Sequence, residues 1–183
     1  MNDPKPDVRI ARPGEAEEIG TIISGAFQSF RPALPAHVFE PYVGDASDVA
    51  SRFEEAAVAV LEHEGRIVGT VTYYEDAARE GMGWPSSFAG LRTLAVSPAE
   101  QGRGYGRILC DWCIGRARQQ GAAALALHTA SFMTAACALY ESMGFKRFPS
   151  HDLVASEVLG FDAALGDQHI IAYLLPTADP SRS

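Results

Sequence analysis

Residues 91–107 read LRTLAVSPAEQGRGYGR, and this stretch decides the fold. An apolar run at 91–96 predicts a short β-strand, which ends at Ser97-Pro98 because proline donates no hydrogen bond to a sheet. Three alternating glycines follow, and the next residues carry apolar side chains at helical spacing. The sequence therefore predicts a strand, a glycine-rich loop and a helix in direct succession.

The glycine-rich loop indicates an anion site. Gly102, Gly104 and Gly106 carry no Cβ, so the backbone N–H groups around them are free to turn toward a ligand at the start of a helix, where phosphate is favoured. On its own, this spacing leaves a dinucleotide fingerprint, another phosphate-binding loop and a tight turn without ligand as alternatives. The dinucleotide motif needs Gly-x-Gly-x-x-Gly and the nucleoside-triphosphate loop needs Gly-Lys-Ser/Thr, and neither pattern is present.

Two motifs in order carry a family resemblance. Gln101-x-x-Gly104-x-Gly106 follows an aliphatic strand, and ALYESMGF occupies 138–145. Together they resemble the GNAT superfamily of acyl-CoA-dependent N-acyltransferases. The resemblance implies a mixed α/β (α+β) fold: a mainly antiparallel sheet of six to seven strands, with splayed central strands and flanking helices. We expect one such domain over 5–176 and a flexible tail at 177–183.

The resemblance also implies acetyl-CoA as the co-substrate. Its pyrophosphate is expected on the amides of 102–107, and its pantetheine arm beside the central strand. Arg103 and Arg107 either add positive charge there or are solvated residues at the start of the helix, and Met133 stands where many members carry asparagine. The implied cofactor-binding residues are Leu94, Ala95, Val96, Gln101, Gly102, Arg103, Gly104, Tyr105, Gly106, Arg107, Met133 and Ala136.

The resemblance assigns two catalytic roles and leaves a third open. Tyr140 is implied as the general acid that protonates the departing thiolate, and the Leu94 N–H as the donor to the oxyanion. Many members carry a basic carboxylate early in the central strand, where this chain has Gly90 or Leu91. Glu75 is our candidate base, with its neighbour Asp76, His128 and a water relay without a dedicated base as alternatives.

Aromatic residues dominate the predicted acceptor pocket. We expect an irregular segment over 30–40 and a short helix over 48–57 between the first helix and the second strand, a region that lines the acceptor pocket in the family. For any one of these side chains, plain packing is the alternative. The candidates are Phe30, Arg31, Tyr42, Tyr73, Trp84, His128 and His151, and they favour a small primary amine with an apolar or aromatic part, with a peptide N-terminus or lysine also open.

Composition restricts the other classes of function. The 183 residues are 47% hydrophobic, which suits one ordinary core, and the net charge of −8 argues against a nucleic-acid partner. No apolar run of membrane-spanning length or signal-peptide core occurs, so we expect no membrane partner and a cytoplasmic protein, as a monomer or homodimer.

The three cysteines do not predict a metal or redox site. Cys110 and Cys113 are two residues apart, but they lie within the predicted helix and no second such pair supplies further ligands. We therefore predict no metal. Because the family's strand carboxylate is missing, an acyl-CoA-binding sensor without catalysis stays open as a second function.

Overall fold

The computed structural model describes residues 5–155 and 169–177, which form one eight-stranded sheet. The strands are β1 (Asp7–Ile10), β2 (Ala57–His63), β3 (Arg66–Tyr74), β4 (Phe88–Val96), β5 (Ala124–Ala130), β6 (Lys146–Arg147), β7 (Leu153–Val154) and β8 (His169–Pro176). Their spatial order is β1-β2-β3-β4-β5-β8-β6, and β7 also pairs with β8. All pairs are antiparallel except β4 with β5. The predicted fold class is confirmed, and the two short strands β6 and β7 raise the strand count above the expected seven.

In the described part of the chain, four α-helices cover the two faces of this sheet: α1 (Ala16–Phe27), α2 (Ala36–Ser47), α3 (Tyr105–Gln119) and α4 (Thr134–Ser142). Successive side chains of a strand point to opposite faces. Val58 and Val60 of β2 pack with α1 and α2, whereas Ala59 and Leu61 pack with α3 and α4. The described residues therefore form a core on each side of the sheet, and a smaller third cluster packs around Trp84.

The region before β2 differs from the sequence prediction. The segment 30–40 is not irregular throughout, because α2 begins at Ala36, and the helix expected over 48–57 is only a 3₁₀ turn at Ala50–Glu54. Val38, Phe39 and Val43 of α2 are buried. Burial of this apolar face outweighs the hydrogen bond lost at Pro41, which lies inside the helix.

The two central strands diverge, as predicted. Residues 88–91 of β4 pair with 124–127 of β5, and the pairing stops there. The register between β3 and β4 shifts next to the point of divergence, because Thr72 faces Arg92 but Thr70 faces Ala95. The extra residue bulges the strand, and Thr93 adopts a φ of 53° there. The second half of β4 therefore leaves an opening toward β5.

Two predicted segments fall largely outside the described residues. These are 156–168 and 178–183. The first lies within 149–169, which is longer than a hairpin turn needs and which the sequence predicts as a loop before the last strand. The second lies within the expected tail. Among the residues that the structure does describe, no helix combines the length and apolar character needed to cross a membrane.

Candidate active site

The glycine-rich loop presents backbone donors at one end of this opening. Gly102 and Gly104 have φ values of 80° and 83°, a conformation that glycine adopts without strain, and Gly104 caps the start of α3. Gln101 Nε2 donates to the Val96 carbonyl at 3.1 Å and ties the loop to the end of β4. Within the described part of the chain, the N–H groups of 102–106 make no hydrogen bond. They are therefore available to an anion.

The side chains of the loop are less free than its amides. Arg103 forms an ion pair with Glu100 at 3.1 Å, and Arg107 donates to Ser142 Oγ at 2.7 Å. The buried ring of Tyr105 contacts the β2–β3 hairpin, where its hydroxyl lies 2.9 Å from His63 Nδ1. The backbone, rather than these three side chains, is the principal feature offered to a phosphate.

Helix α4 places Tyr140 in the core beside the opening. Its ring is 5% exposed and contacts the rings of Phe145 and Tyr173. Burial, followed by the neighbouring Cys110, Cys113, Cys137 and Tyr42, raises the pKa of the Tyr140 hydroxyl. A neutral phenol in such a site can donate a proton to a leaving group and is stable in its protonated form. Met133 is buried at the start of the same helix, and Ala136 packs partly buried behind it.

Phe30 and Tyr42 approach from the opposite side of the sheet. The Phe30 ring lies 5.8 Å from that of Phe132, which precedes α4, and this contact joins the two sides. Tyr42 stacks on Phe27 at 5.7 Å, and burial raises its pKa to about 12. Tyr42 of α2 raises the pKa of Tyr140 on α4 less than burial and the three cysteines do.

Arg31 is not brought to this place. Its guanidinium pairs with Glu40 at 2.7 Å and lies 4.7 Å from the centre of the buried Phe39 ring. Both partners of the ion pair are exposed. These contacts bind Arg31 to the outer surface of α2, so the structure gives no support to its predicted role in substrate binding.

Trp84, His128 and His151 form one cluster. The Trp84 and His151 rings stack at 4.8 Å, and Trp84 Nε1 donates to His128 Nδ1 at 3.1 Å. The other ring nitrogen, His128 Nε2, lies 2.8 Å from the His151 carbonyl and so must carry the proton that it donates. Burial lowers the pKa of His128. With both nitrogens occupied, His128 has no free lone pair with which to act as a base.

Tyr73 and Glu75 contact the C-terminal part of α3. Tyr73 is fully buried against α3, where its hydroxyl donates to Gln120 Oε1 at 2.8 Å and its ring contacts Trp112. Glu75 is exposed and pairs with Arg116 at 3.2 Å. These partners belong to the last turns of α3, at the opposite end from the glycine loop. The structure therefore does not bring Tyr73 or Glu75 to the opening.

Three residues that the sequence did not single out lie together on the α2 face of the sheet. Tyr74 is buried on the α2 face of β3, next in sequence to Tyr73. Arg92 extends from β4 and pairs with Asp45 of α2 at 3.0 Å. Glu80, at the end of a 3₁₀ turn, influences the pKa of Tyr74 together with Arg92. The sequence places Tyr74 and Arg92 on strands, and the alternation along a strand then gives the face to which each side chain points. It does not tell which of the two faces is functional.

The cysteines supply no nucleophile to the site. Burial raises the pKa of Cys110 to about 12 and raises that of Cys113 and Cys137 as well. All three thiols are therefore protonated at neutral pH and poorly reactive.

The sequence was compared with models of known protein families and with curated protein sequences. Residues 17–145 match the model of the acetyltransferase (GNAT) family. No curated protein sequence matches the chain.

Solved structures share the fold. The ribosomal-protein-S18-alanine N-acetyltransferase of Escherichia coli has a TM-score of 0.68 at 20% identity, with 98% of each chain covered. The PaiA N-acetyltransferase of Thermoplasma acidophilum, in complex with coenzyme A, has a TM-score of 0.69 at 11% identity, covering 92% of this chain and 98% of that one. A Salmonella typhimurium protein with its cofactor acetyl-CoA has a TM-score of 0.64 at 18% identity, covering 97% and 96%. At these identities the similarity establishes the fold.

Proposed function

The chain belongs to the acetyltransferase (GNAT) family, as its sequence predicted, and we propose that it moves the acetyl group of acetyl-CoA to a primary amine of a small molecule. One observation carries the proposal. The unpartnered amides of 102–106 and the opening between β4 and β5 meet at the start of α3, so phosphate donors and a slot for an extended chain are adjacent.

Acetyl-CoA fits this arrangement with its pyrophosphate at the glycine loop and its pantetheine arm in the opening between β4 and β5. The pyrophosphate binds the amides of 102–106, where the dipole of α3 adds to the attraction. Arg103 and Arg107 contribute charge at longer range, because both side chains already have partners. The pantetheine arm, itself a chain of amides, runs along Leu94, Ala95 and Val96 on the side of β4 that β5 leaves unpaired.

The chemistry is direct attack in a ternary complex. A neutral amine attacks the thioester carbonyl, the Leu94 N–H donates to the oxyanion, and the Tyr140 hydroxyl protonates the sulfur of the departing thiolate. The high pKa of Tyr140 suits this role, because the hydroxyl holds its proton until a thiolate forms beside it. Placing both substrates in one cleft supplies much of the remaining rate.

The acceptor enters from the α2 face. Phe30 and Tyr42 provide an aromatic wall, and the cluster of Trp84 with His151 bounds the far side. Such a pocket suits an amine with an apolar or aromatic part. The net charge of −8 favours a cationic molecule in the encounter. A peptide N-terminus or a lysine side chain would bring the same amine and belongs in the substrate panel.

Release of CoA tests the proposal. The purified protein is incubated with acetyl-CoA and a panel of primary amines, and free thiol is followed with a thiol reagent. Amine-dependent turnover is the expected result. Tight acetyl-CoA binding by calorimetry without turnover on any amine would instead identify the acyl-CoA sensor, the alternative that the glycine at position 90 favours.

A further inference from the structure

The side chain of Glu80 occupies a position against the central strand. Glu80 ends the 3₁₀ turn Ala77–Glu80, which connects β3 to β4. A Cβ built on Gly90 would lie 1.8 Å from Glu80 Oε1 and 2.9 Å from its carboxyl carbon. No side chain other than hydrogen at position 90 leaves room for the carboxyl. Gly90 therefore admits a carboxyl group from the adjacent turn to the surface of β4.

This carboxyl lacks the partner that a buried acid normally has. Among the described residues, Glu80 Oε1 is buried without a hydrogen bond. The charged and titratable groups around it are Tyr74 of β3 and Arg92 of β4, with Asp45 of α2 and Arg52 of the following 3₁₀ turn beyond them. Arg92 is the nearest cation, but its ion pair at 3.0 Å is with Asp45. A buried acceptor without a partner is costly and calls for a functional explanation.

The electrostatics of Glu80 suit proton transfer near neutral pH. Burial raises the pKa of its carboxyl to about 8, and Arg92 opposes this shift only in part. A carboxylate with such a pKa is a much stronger base than an exposed glutamate. Perturbed carboxyls of this kind cluster at active sites, although ion-pair networks also produce them.

The position of Gly90 ties this group to the opening. Gly90 pairs with Tyr74 on one side and Ala126 on the other, one residue before β4 and β5 separate. It precedes Leu94, the proposed oxyanion donor, by four positions on the same strand. The carboxyl lies on the face that carries Tyr74 and Arg92, which is the acceptor side.

We propose that Glu80 is the general base of the reaction, receiving a proton from the acceptor amine through water. The assignment rests on the proposed acetyl transfer. An ammonium acceptor gives one proton to the Glu80 carboxylate, and the resulting amine attacks the thioester carbon. The C–N bond forms and the C–S bond breaks. Tyr140 gives its proton to the thiolate and regains the second proton of the amine nitrogen, and Glu80 returns its proton to solvent. The products are an amide, CoA thiol and one proton.

Two amines and two variants test the assignment. Glu80→Gln keeps the shape of the side chain and removes the base. With an alkylamine that is mostly protonated, kcat/KM should fall about 100-fold, the usual range for a general base. With a fluorinated analogue that is already neutral, the loss should be less than about threefold, because no ammonium proton must be removed first. Acetyl-CoA affinity, measured by calorimetry, should not change.

The outcomes distinguish a failure of Glu80 as the base from a failure of the proposed acetyl transfer. An equal loss with both amines, or no loss, overturns Glu80 as the base while the acetyl transfer stands. A loss in Glu75→Gln instead assigns the base to that residue. Should Glu80→Gln fail to fold, the wild-type protein still decides: with the alkylamine its kcat/KM should rise with pH and level off above about 8, whereas with the neutral amine it should change by less than about threefold over the same range. A rise through about 8 with both amines, or with neither, overturns the assignment. If no amine supports turnover by the wild type, the proposed function is what fails.

Discussion

The Trp84 indole donates a hydrogen bond to His128 Nδ1 at 3.1 Å, and this contact fixes the chemistry of the histidine. His128 must carry its proton on Nε2, which faces the His151 carbonyl at 2.8 Å. A second proton on the ring would face the indole N–H with no acceptor. Burial lowers the pKa of His128, and the indole N–H disfavours the doubly protonated ring in the same direction.

We therefore expect His128 to stay a neutral Nε2–H imidazole to a lower pH than a solvent-exposed histidine does. Long-range ¹⁵N NMR of the ring reads both the tautomer and its titration. Trp84→Phe retains an aromatic ring but removes the donor, so the pKa of His128 should rise toward its ordinary value. An Nδ1–H tautomer in the wild type would contradict the bonding that we describe.

The same shift predicts an acid sensitivity. Because the pKa of His128 is lower in the folded state than in the unfolded state, the unfolded chain binds the extra proton first. The contribution of His128 to stability is therefore complete above the unfolded pKa of about 6.5 and is lost as the pH falls below it. Thermal melts of wild type and His128→Gln should converge as the pH falls through this range, and parallel curves would exclude the linkage.

Glu80 predicts the opposite dependence on pH. Its folded pKa, about 8, lies above that of an unfolded glutamate, so the folded state keeps a proton that the unfolded state has released. Stability is lost as the pH rises between these two values and changes no further above them. Glu80→Gln removes the buried charge, and its melting temperature should exceed that of the wild type at pH values above about 8. The difference should shrink toward acidic pH, and a variant less stable than wild type in alkali would disprove the shift.

A stabilised variant that has lost activity is the pattern expected when a protein keeps a costly group for catalysis. Glu80→Gln should show both effects in one protein. A buried glutamate without a catalytic role would show the gain in alkaline stability alone, without a loss of activity that depends on the amine.

Tyr140→Phe tests the general acid. The ring and its contacts with Phe145 and Tyr173 remain, so the fold should be preserved. We expect kcat to fall by about 10- to 1,000-fold at unchanged acetyl-CoA affinity, because one proton donor is lost in the transition state. Pre-steady-state kinetics establish that chemistry limits the rate, and an unchanged chemical step would remove Tyr140 from the mechanism.

Gly104→Val tests the phosphate site. Valine should obstruct the approach of the pyrophosphate to the loop amides and weaken acetyl-CoA binding by about tenfold or more, a loss of about 1.4 kcal/mol. Gly104 has a φ of 83°, so the change also strains the backbone. Gly121→Val is the matched control, since Gly121 has a φ of 73° and equally open surroundings beyond the other end of α3. Calorimetry on both variants separates strain from obstruction, and equal affinities would place the cofactor elsewhere.

The glycine loop and the helix after it were predictable because their signals are local, whereas the divergence of the strands was an expectation from the family resemblance. Pro98 ends a strand, Gly104 starts a helix, and the apolar spacing of α3 is regular. The contact of Glu80 with Gly90 has no such signal, since it depends on how a turn folds back over a strand ten positions later. Helix α2 was missed because its prolines resemble loop residues, and only its buried face shows why it is stable.

The choice between Tyr73 and Tyr74 shows a different limit. Residues 68–74 of β3 are buried without interruption, because helices cover both faces of the sheet. The alternation that normally separates a core face from a functional face is then absent from the sequence. Choosing Tyr73 in place of its neighbour moved the predicted contact to the opposite side of the sheet.

Removing each of these two hydroxyls in turn tests that assignment of faces. Tyr73→Phe deletes the 2.8 Å bond to Gln120 and should lower the free energy of unfolding by about 1 kcal/mol without altering the kinetics. Tyr74→Phe removes a hydroxyl beside Arg92 and Glu80, so it should change kcat/KM for the amine several-fold at unchanged acetyl-CoA affinity. Urea unfolding and steady-state kinetics on both variants give the comparison. If Tyr73→Phe changed the kinetics with the amine and Tyr74→Phe did not, the acceptor would have to bind on the α3 face. That result would contradict the roles proposed for Tyr42 and Glu80.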